Sequence, residues 1–249
     1  VPVMLAECLV GLDIRPEGVY VDVTFGGGGH SREILKHLGN EGRLFAFDQD
    51  TDAAANAIAD NRFTLIQQNF KYLRQYLRFY GITQVDGVLG DFGVSSHQFD
   101  VAERGFSTRF EGTLDMRMNQ NAAISAKEIV NEYDEEDLSR LFFNYGELKN
   151  AKAIARAIIN YRAQKPIQLG SELQEAVKSF LPKFKENKVL AQIYQAIRIE
   201  VNGEMEALES FLLQLPDVVK LGGRISLISY HSLEDRAVKR FIRDGQLEG

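Results

Sequence analysis

The sequence predicts an α/β fold: a mostly parallel sheet with helices on both faces, interrupted by an inserted all-helical subdomain. Three observations carry that prediction. Short β-rich runs alternate with helical runs through the first part of the chain, consecutive amphipathic helices then replace the alternation, and a last β-rich run returns near the end. Such alternation means right-handed crossovers and parallel pairing.

In order, VYVDVTF reads as a strand followed by the helix SREILKHL, RLFAFD as a strand followed by TDAAANAIADN, and FTLIQQ as a strand followed by FKYLRQYLRFYG. VDGVLGDF is the next strand. Gly39, Gly42 and Gly81 fall at helix ends, where C-caps belong. The runs SAKEIVNEYDEEDLSRLFFNYG, NAKAIARAIINYRAQK and SELQEAVKSFLP are amphipathic, with Ser125 and Ser171 at N-cap positions and Pro166 and Pro182 as stops. A long helical pattern, LAQIYQAIRIEVNGEMEALESFLLQLPDVVKLG, leads into the strand GRISLISYH, and a final helix runs from Ser232 toward Arg243. The plan is a sheet domain over 1–106, a helical insertion over 107–187 and the rest of the sheet domain over 188–249, with further strands expected beyond the last helix.

A chain of 249 residues, 45% of them hydrophobic, suits one large domain or a domain with an insertion. Four His and one Cys without a C-x-x-C spacing give no basis for a zinc site or a disulfide framework. No metal is expected, and Cys8 reads as a buried apolar residue. No apolar run approaches membrane-spanning length, and the N-terminal stretch carries Glu7 and no basic leader, so a cytoplasmic protein with no membrane partner is expected. The net charge of −6 does not point to nucleic acid, although a local patch can bind phosphates. His231, Arg236, Lys239, Arg240 and Arg243 share one run, and Arg104, Arg109 and Arg117 share a central loop. On charge alone, a solvated surface explains either group as well.

The stretch from Val19 to Asp50 carries the strongest local signal. The strand VYVDVTF runs into Gly26–Gly29, where the backbone can take positive φ and approach a ligand closely. The helix opening near Ser31 points unpaired N–H groups over that turn. Asp48, at the end of the next strand, is placed to accept hydrogen bonds from ribose hydroxyls. The spacing fits an adenosine-containing ligand. It does not complete the dinucleotide fingerprint G-x-G-x-x-G, because Ser31 stands where the third glycine belongs.

A second constellation closes the strand VDGVLGDF, in the run Gly90-Asp91-Phe92-Gly93-Val94-Ser95-Ser96-His97-Gln98. Enzymes that methylate an exocyclic base amine carry Asp or Asn followed by an aromatic at this position. The acid accepts a hydrogen bond from the amine, whose lone pair is otherwise delocalised into the ring, and the aromatic stacks on the extruded base. This chemistry assigns catalysis to Asp91 and stacking to Phe92; a loop-capping Asp91 is the alternative.

TFGGGGHS, GDFGVSSHQFD, RGFS, LDMRM, NYGE, QAIRIEVN and YHSLEDR occur in the order found in the bacterial small-subunit rRNA (cytosine-N4)-methyltransferase family, RsmH or MraW. The chain resembles that family over nearly its whole length. The resemblance implies a Rossmann-like, S-adenosylmethionine-dependent methyltransferase fold with an inserted helical domain. The implied substrate is a cytidine in the decoding centre of 16S rRNA, within the assembled small ribosomal subunit; a homodimer is left open. It implies Gly28, Gly29 and His30 on the methionine part of the cofactor, Asp48 on the ribose, Phe70 near the adenine, and Asp91 and Gln98 completing the pocket. Around the base and its phosphates it implies Arg104, Asp115, Arg117, Arg198, Asn202, His231, Glu234 and Asp235. Other readings stand beside these: LDMRM as a hinge with Asp115 and Arg117 paired, Arg198 and Asn202 as a structural network on one helix face, and His231 as a base-positioning group before a general base. The sequence departs from the family pattern at Gly90, Phe92, His97 and Thr113; Thr113 in place of Pro is expected to loosen its loop. Two rival functions remain at this stage, a nicotinamide-dependent oxidoreductase and a non-catalytic RNA-binding ribosome-assembly factor.

Overall fold

The computed structural model describes residues 2–109 and 111–247. In chain order its elements are α1 (Leu5–Leu12), β1 (Val19–Asp22), α2 (Gly29–His37), β2 (Arg43–Phe47), β3 (Phe63–Ile66), α3 (Leu73–Phe79), β4 (Val85–Asp91), α4 (Ser96–Asp100), α5 (Ala126–Glu132), α6 (Glu135–Asn144), α7 (Ala151–Arg162), α8 (Gly170–Val177), α9 (Glu186–Asn202), α10 (Glu204–Val218), β5 (Val219–Ile228) and α11 (Ser232–Asp244). The chain divides into two compact units, Val1–Ser95 with Met205–Gly249, and Ser96–Glu204. No helix among the described residues is long and apolar enough to cross a membrane.

In the first unit the strands pair in parallel in the order β3-β2-β1-β4-β5. Successive strand side chains point to opposite faces, and here both faces are covered. Tyr20, Leu44, Leu89 and Ile228 pack with Cys8 and Leu12 of α1 and Ile34 and Leu35 of α2. Their strand neighbours Val21, Phe45 and Val88 pack on the other side with Leu73 and Leu77 of α3, Phe211, Leu212 and Leu215 of α10, and Phe241 of α11. The near-continuous apolar runs of the strands are explained by this double burial. Chain connectivity leaves β1 in opposite directions, toward β2 on one side and β4 on the other. Ligands of open parallel sheets bind at such a switch point, outside the carboxyl ends of the strands.

The second unit is helical. Helix α6 packs on α7 and α9, α7 on α8, and α5 on α7 and α9. Ile129, Leu138, Phe142, Ile154, Ile158, Leu173, Ile193 and Ile197 are buried in it. Ser125 caps α5 as expected, accepting from Lys127 N while Glu128 Oε2 accepts from Ser125 N at 2.7 Å. Such a cap contributes about 1 kcal/mol.

Several expectations are corrected. The unit borders lie at Ser96 and Glu204 rather than at 107 and 187, because the sheet alternation ends with β4 and α9 packs on α5 and α6. TDAAANAIADN makes only a 3₁₀ turn over Thr51–Asn56; Ala53 is its one buried residue, so no apolar face holds a longer helix in place. The long helical pattern breaks at Gly203, whose φ of 56° ends α9 before α10 begins. SAKEIVNEYDEEDLSRLFFNYG divides at Asp134, which caps α6 through Asp137 N. Helix α8 starts one residue before Ser171, so Ser171 is not its cap. Thr113 ties its loop down: its hydroxyl donates to the Glu103 carbonyl at 2.8 Å, and it bridges to Leu169.

Candidate active site

The carboxyl ends of β1, β2 and β4 converge on one polar network. Past β1, Phe25 N still donates to Phe47 O of β2 at 2.9 Å, and the chain then turns through the glycines. Gly28, the N-cap of α2, has φ 72°, and a Cβ there would press on the Phe25 ring, so only glycine closes this turn. Asp48 fixes the turn from outside, accepting from Gly26 N at 2.7 Å with one oxygen and from Asp50 N at 2.8 Å with the other. Burial outweighs those two bonds and pushes its carboxyl up to about 6. Arg32 donates to Gly27 O at 2.6 Å, and Asn56 to Gly26 O at 3.2 Å. No side chain caps α2, so N–H groups of its first turn face outward beside the glycines.

Ser31, in the place of the third fingerprint glycine, is fully buried and donates to Asp22 Oδ2 at 2.7 Å. Asp22 Oδ1 accepts from Thr24 N at 3.1 Å, and Thr24 Oγ1 in turn accepts from Asp91 N at 2.7 Å. The ends of β1 and β4 are thereby stapled together. The Ser31 position is thus occupied by a structural hydrogen bond, not by a close approach to pyrophosphate.

Asp91, the last residue of β4, has a side chain 22% exposed. Tyr230 Oη donates to its Oδ1 at 2.8 Å, and His30 Nδ1 lies 3.8 Å from its Oδ2. His30 is buried, not a solvent-facing helix start; its Nε2 donates to the Val3 carbonyl at 3.0 Å, which leaves Nδ1 toward Asp91. Burial raises the Asp91 carboxyl above its ordinary value, against the Tyr230 hydrogen bond and His30, which lower it. With its side chain 22% exposed, this carboxylate can accept a hydrogen bond from a donor presented at the switch point.

Other expected residues sit elsewhere. Phe92 is 4% exposed and packs 5.8 Å from Phe70 and 6.0 Å from Phe211, ring centre to ring centre. It is core, and the stacking expectation for it fails because the residue after Asp91 turns to the α10 side of the sheet. Phe70 is half-buried at the rim of that cluster. Gln98 is buried in α4, within the second unit.

The basic and polar residues of the second unit are largely engaged within it. Arg104 is buried, donates to Arg117 O at 2.9 Å and stacks its guanidinium on Phe106. Arg117 grips Asp115 with two parallel bonds of 2.9 and 2.7 Å and donates to Ala122 O at 2.8 Å. Burial would raise the Asp115 carboxyl, yet Arg117 holds it below its ordinary value. Arg198 pairs bidentately with Glu204 at 2.8 and 2.9 Å. Asn202 accepts from Met118 N at 2.7 Å and donates to Met116 O at 2.8 Å and Arg198 O at 2.9 Å. Asp115 with Arg117 is thus an ion pair, and Arg198 and Asn202 share a hydrogen-bond network that also takes in Glu204 and the Met116–Met118 backbone.

At the end of β5, His231 is the N-cap of α11, with Nδ1 toward Glu234 N and Nε2 3.1 Å from Glu234 Oε1. Glu234 is buried and accepts from Tyr230 N at 2.9 Å, while Asp235 pairs with Lys239 at 2.9 Å. His231 and Glu234 thus build the turn that carries Tyr230. Sequence reading overlooked Thr24, Asp22 and Tyr230. The signal for Tyr230 was its place just past a strand's carboxyl end in YHSLEDR; for Thr24 and Asp22 no local signal existed.

Comparison with known proteins gives the family. The chain is 64% identical over 248 residues to the ribosomal RNA small subunit methyltransferase H of Christiangramia forsetii, and 61% identical over 248 residues to that of Flavobacterium johnsoniae. Each alignment covers all of this chain and 82% of the relative. Fibrillarin of Aeropyrum pernix, solved with S-adenosyl-L-methionine, gives a TM-score of 0.28 at 13% identity over 52% of this chain and 57% of its own, a likeness too slight to inform the site. The family model of the MraW methylases matches residues 1–248. With the glycine turn, the strand-end acids and this match along its length, the chain belongs to the MraW methylase family.

Proposed function

We propose that the protein transfers a methyl group from S-adenosylmethionine to N4 of a cytidine in the decoding centre of 16S rRNA, within the small ribosomal subunit. The observation that supports this most is Asp91: a half-buried carboxylate at the switch point, held by Tyr230 and Thr24 beside the glycine turn. The turn fits the cofactor on independent grounds. Gly27 does not have left-handed φ, and a Cβ there would meet no protein atom within 4 Å, so nothing inside the protein requires glycine at that position. A ligand lying on the turn does. Gly28, Gly29 and His30 would hold the methionine part, Asp48 the ribose, and Phe70 the adenine.

When bound, the cofactor supplies an electrophilic methyl on a positively charged sulfur. Asp91 accepts a hydrogen bond from the exocyclic amine and draws the N4 lone pair out of conjugation. That lone pair would form the new N–C bond as the methyl leaves its sulfur, and the surplus N4 proton would pass to the Asp91 carboxylate or to water. Most of the rate gain is positioning, since the amine itself is the nucleophile and no cysteine is needed. Transfer of labelled methyl to small subunits isolated from a strain lacking the enzyme, with the modified nucleoside identified by mass, tests donor, substrate and atom together. Absence of N4-methylcytidine would refute the assignment.

Two further results are expected at the cofactor site. Gly27→Ala should leave the melting temperature within about 1 °C of wild type, because it fills open space, and weaken S-adenosylhomocysteine binding about tenfold or more by calorimetry. A variant that binds like wild type would place the ligand off the turn. The second concerns pH. Ribose hydroxyls donate to the charged form of Asp48, so binding lowers its pKa from about 6 and releases a proton below that pH. Affinity should be flat above pH 7 and fall toward pH 5 by up to about tenfold per unit, and Asp48→Asn should abolish this slope. Equal affinity of the wild type at pH 5 and 7 would contradict the role of Asp48.

A further inference from the structure

The base-stacking aromatic expected of such a site is missing from its expected position, because Phe92 is core. We propose that Tyr230 takes its place: its exposed ring receives the face of the target base while its hydroxyl fixes the Asp91 carboxylate for the amine. This rests on the function proposed above and names a further residue for it.

The placement follows from the sheet. Ile228 of β5 pairs with Asp91 of β4, and Phe92 N donates to Ile228 O at 3.0 Å, so a residue just past Ile228 emerges beside Asp91. The turn is held by Glu234, which accepts from Tyr230 N. Tyr230 is 56% exposed, although its hydroxyl is engaged with Asp91 at 2.8 Å. Three of its ring atoms lie 3.4–3.9 Å from where a Cβ on Gly93 would stand, and Gly93 has φ 101°. A side chain at 93 would be strained by that φ, and its Cβ would meet the ring at ordinary contact distance, so the Gly93 backbone lies against one part of a ring that is otherwise open to solvent. Of the other exposed aromatics of the first unit, Tyr72 at the start of α3 carries Lys71 over its ring, and Phe79 and Tyr80 meet edge to face at the end of that helix.

The two halves of the role are separable. A hydroxyl donating to one carboxylate oxygen fixes the orientation of the other and favours the charged form. Asp91 is also faced by His30 from α2, Asp22 from β1, Cys8 from α1 and Glu234 from α11, all of which remain when the hydroxyl is removed. Burial and the neighbouring carboxylate hold the Tyr230 phenol above its ordinary value, so it stays a donor at working pH. An aromatic platform under a base is worth about 1–3 kcal/mol, or roughly 5- to 150-fold in affinity.

The test uses the whole enzyme, labelled S-adenosylmethionine and small subunits from a strain lacking the enzyme. Wild type comes first: if it transfers nothing, the proposed function fails and the role of Tyr230 fails with it. Given transfer, Tyr230→Phe keeps the ring and loses the hydroxyl. Its KM for subunits should be unchanged, kcat about tenfold lower, and the acidic limb of the kcat profile moved to higher pH, because Asp91 then protonates more readily. Tyr230→Leu should show the same kcat loss together with a KM for subunits raised about tenfold. S-adenosylhomocysteine affinity should be unchanged in both, which reports that the fold is intact. A wild-type pH profile in the Phe variant, or equal KM values in the Phe and Leu variants, overturns the proposal; so does loss of cofactor binding in the Phe variant, which would make Tyr230 a structural residue.

Discussion

Asp91→Ala is expected to lower methyl transfer by about 10²–10³-fold or more in kcat while leaving S-adenosylhomocysteine binding and the fold in place. The size follows from the role proposed for the carboxylate, an acceptor for the amine held at the switch point by Tyr230 on one oxygen and Thr24 on its backbone. The retained fold follows from the sign of its ionisation. Burial raises the Asp91 carboxyl, so at neutral pH the charged group costs the folded state stability rather than adding to it. Removing it gives back that cost and offsets the lost Tyr230 bond, whose hydroxyl then turns to water. The melting temperature should therefore shift by no more than a few degrees. Asp91→Asn separates charge from shape, since its amide oxygen still accepts but no longer draws the amine proton, and an intermediate loss is expected. A near-normal rate in the alanine variant, measured by labelled transfer, would remove Asp91 from the chemistry.

How legible the site was depended on how local its physics is. The strand ends, the glycine turn and Asp91 could be read because strand periodicity and turn chemistry are written in consecutive residues. Phe92 could not be placed, since whether it faces a base or the core is decided by Phe70 and Phe211, the latter more than a hundred positions away. Tyr230 and Asp91 are likewise 139 positions apart, joined only because β4 and β5 pair. The same limit governed the helices. Ser125 at the head of an amphipathic run is a local signal and is legible as a cap, while its Glu128 partner emerges only in the structure. The 3₁₀ turn at Thr51–Asn56 was misread as a helix because alanine-rich composition says nothing about whether a core is there to receive it.

Charged and amide residues of the second unit show the sharpest case of that limit, and Asn202→Ala tests it. As a substrate contact, Asn202 would be replaceable at a cost to rRNA binding alone. In the structure both ends of its amide are used: Oδ1 accepts from Met118 N, and Nδ2 donates to Met116 O and Arg198 O. Met116 has left-handed φ of 61°, an arrangement that a bulky residue keeps only when its surroundings impose it. Alanine would take from the Met116 carbonyl its Asn202 donor and from the Met118 amide its Asn202 acceptor, inside a loop whose Met116 side chain is fully buried, at about 1–3 kcal/mol for each bond lost. A loss of about 2–4 kcal/mol in unfolding free energy is expected, out of a total of about 5–15 kcal/mol for a natural domain. Asn202→Asp keeps the acceptor for Met118 but turns a carboxylate toward the Met116 carbonyl, and should be nearly as damaging. Denaturant unfolding followed with labelled transfer decides between the two roles. Activity of the alanine variant should return at low temperature or with stabilising osmolyte, where the folded fraction recovers. A variant as stable as wild type but with a raised KM for subunits would instead make Asn202 a contact to RNA, and the Met116–Met118 loop would have to hold itself.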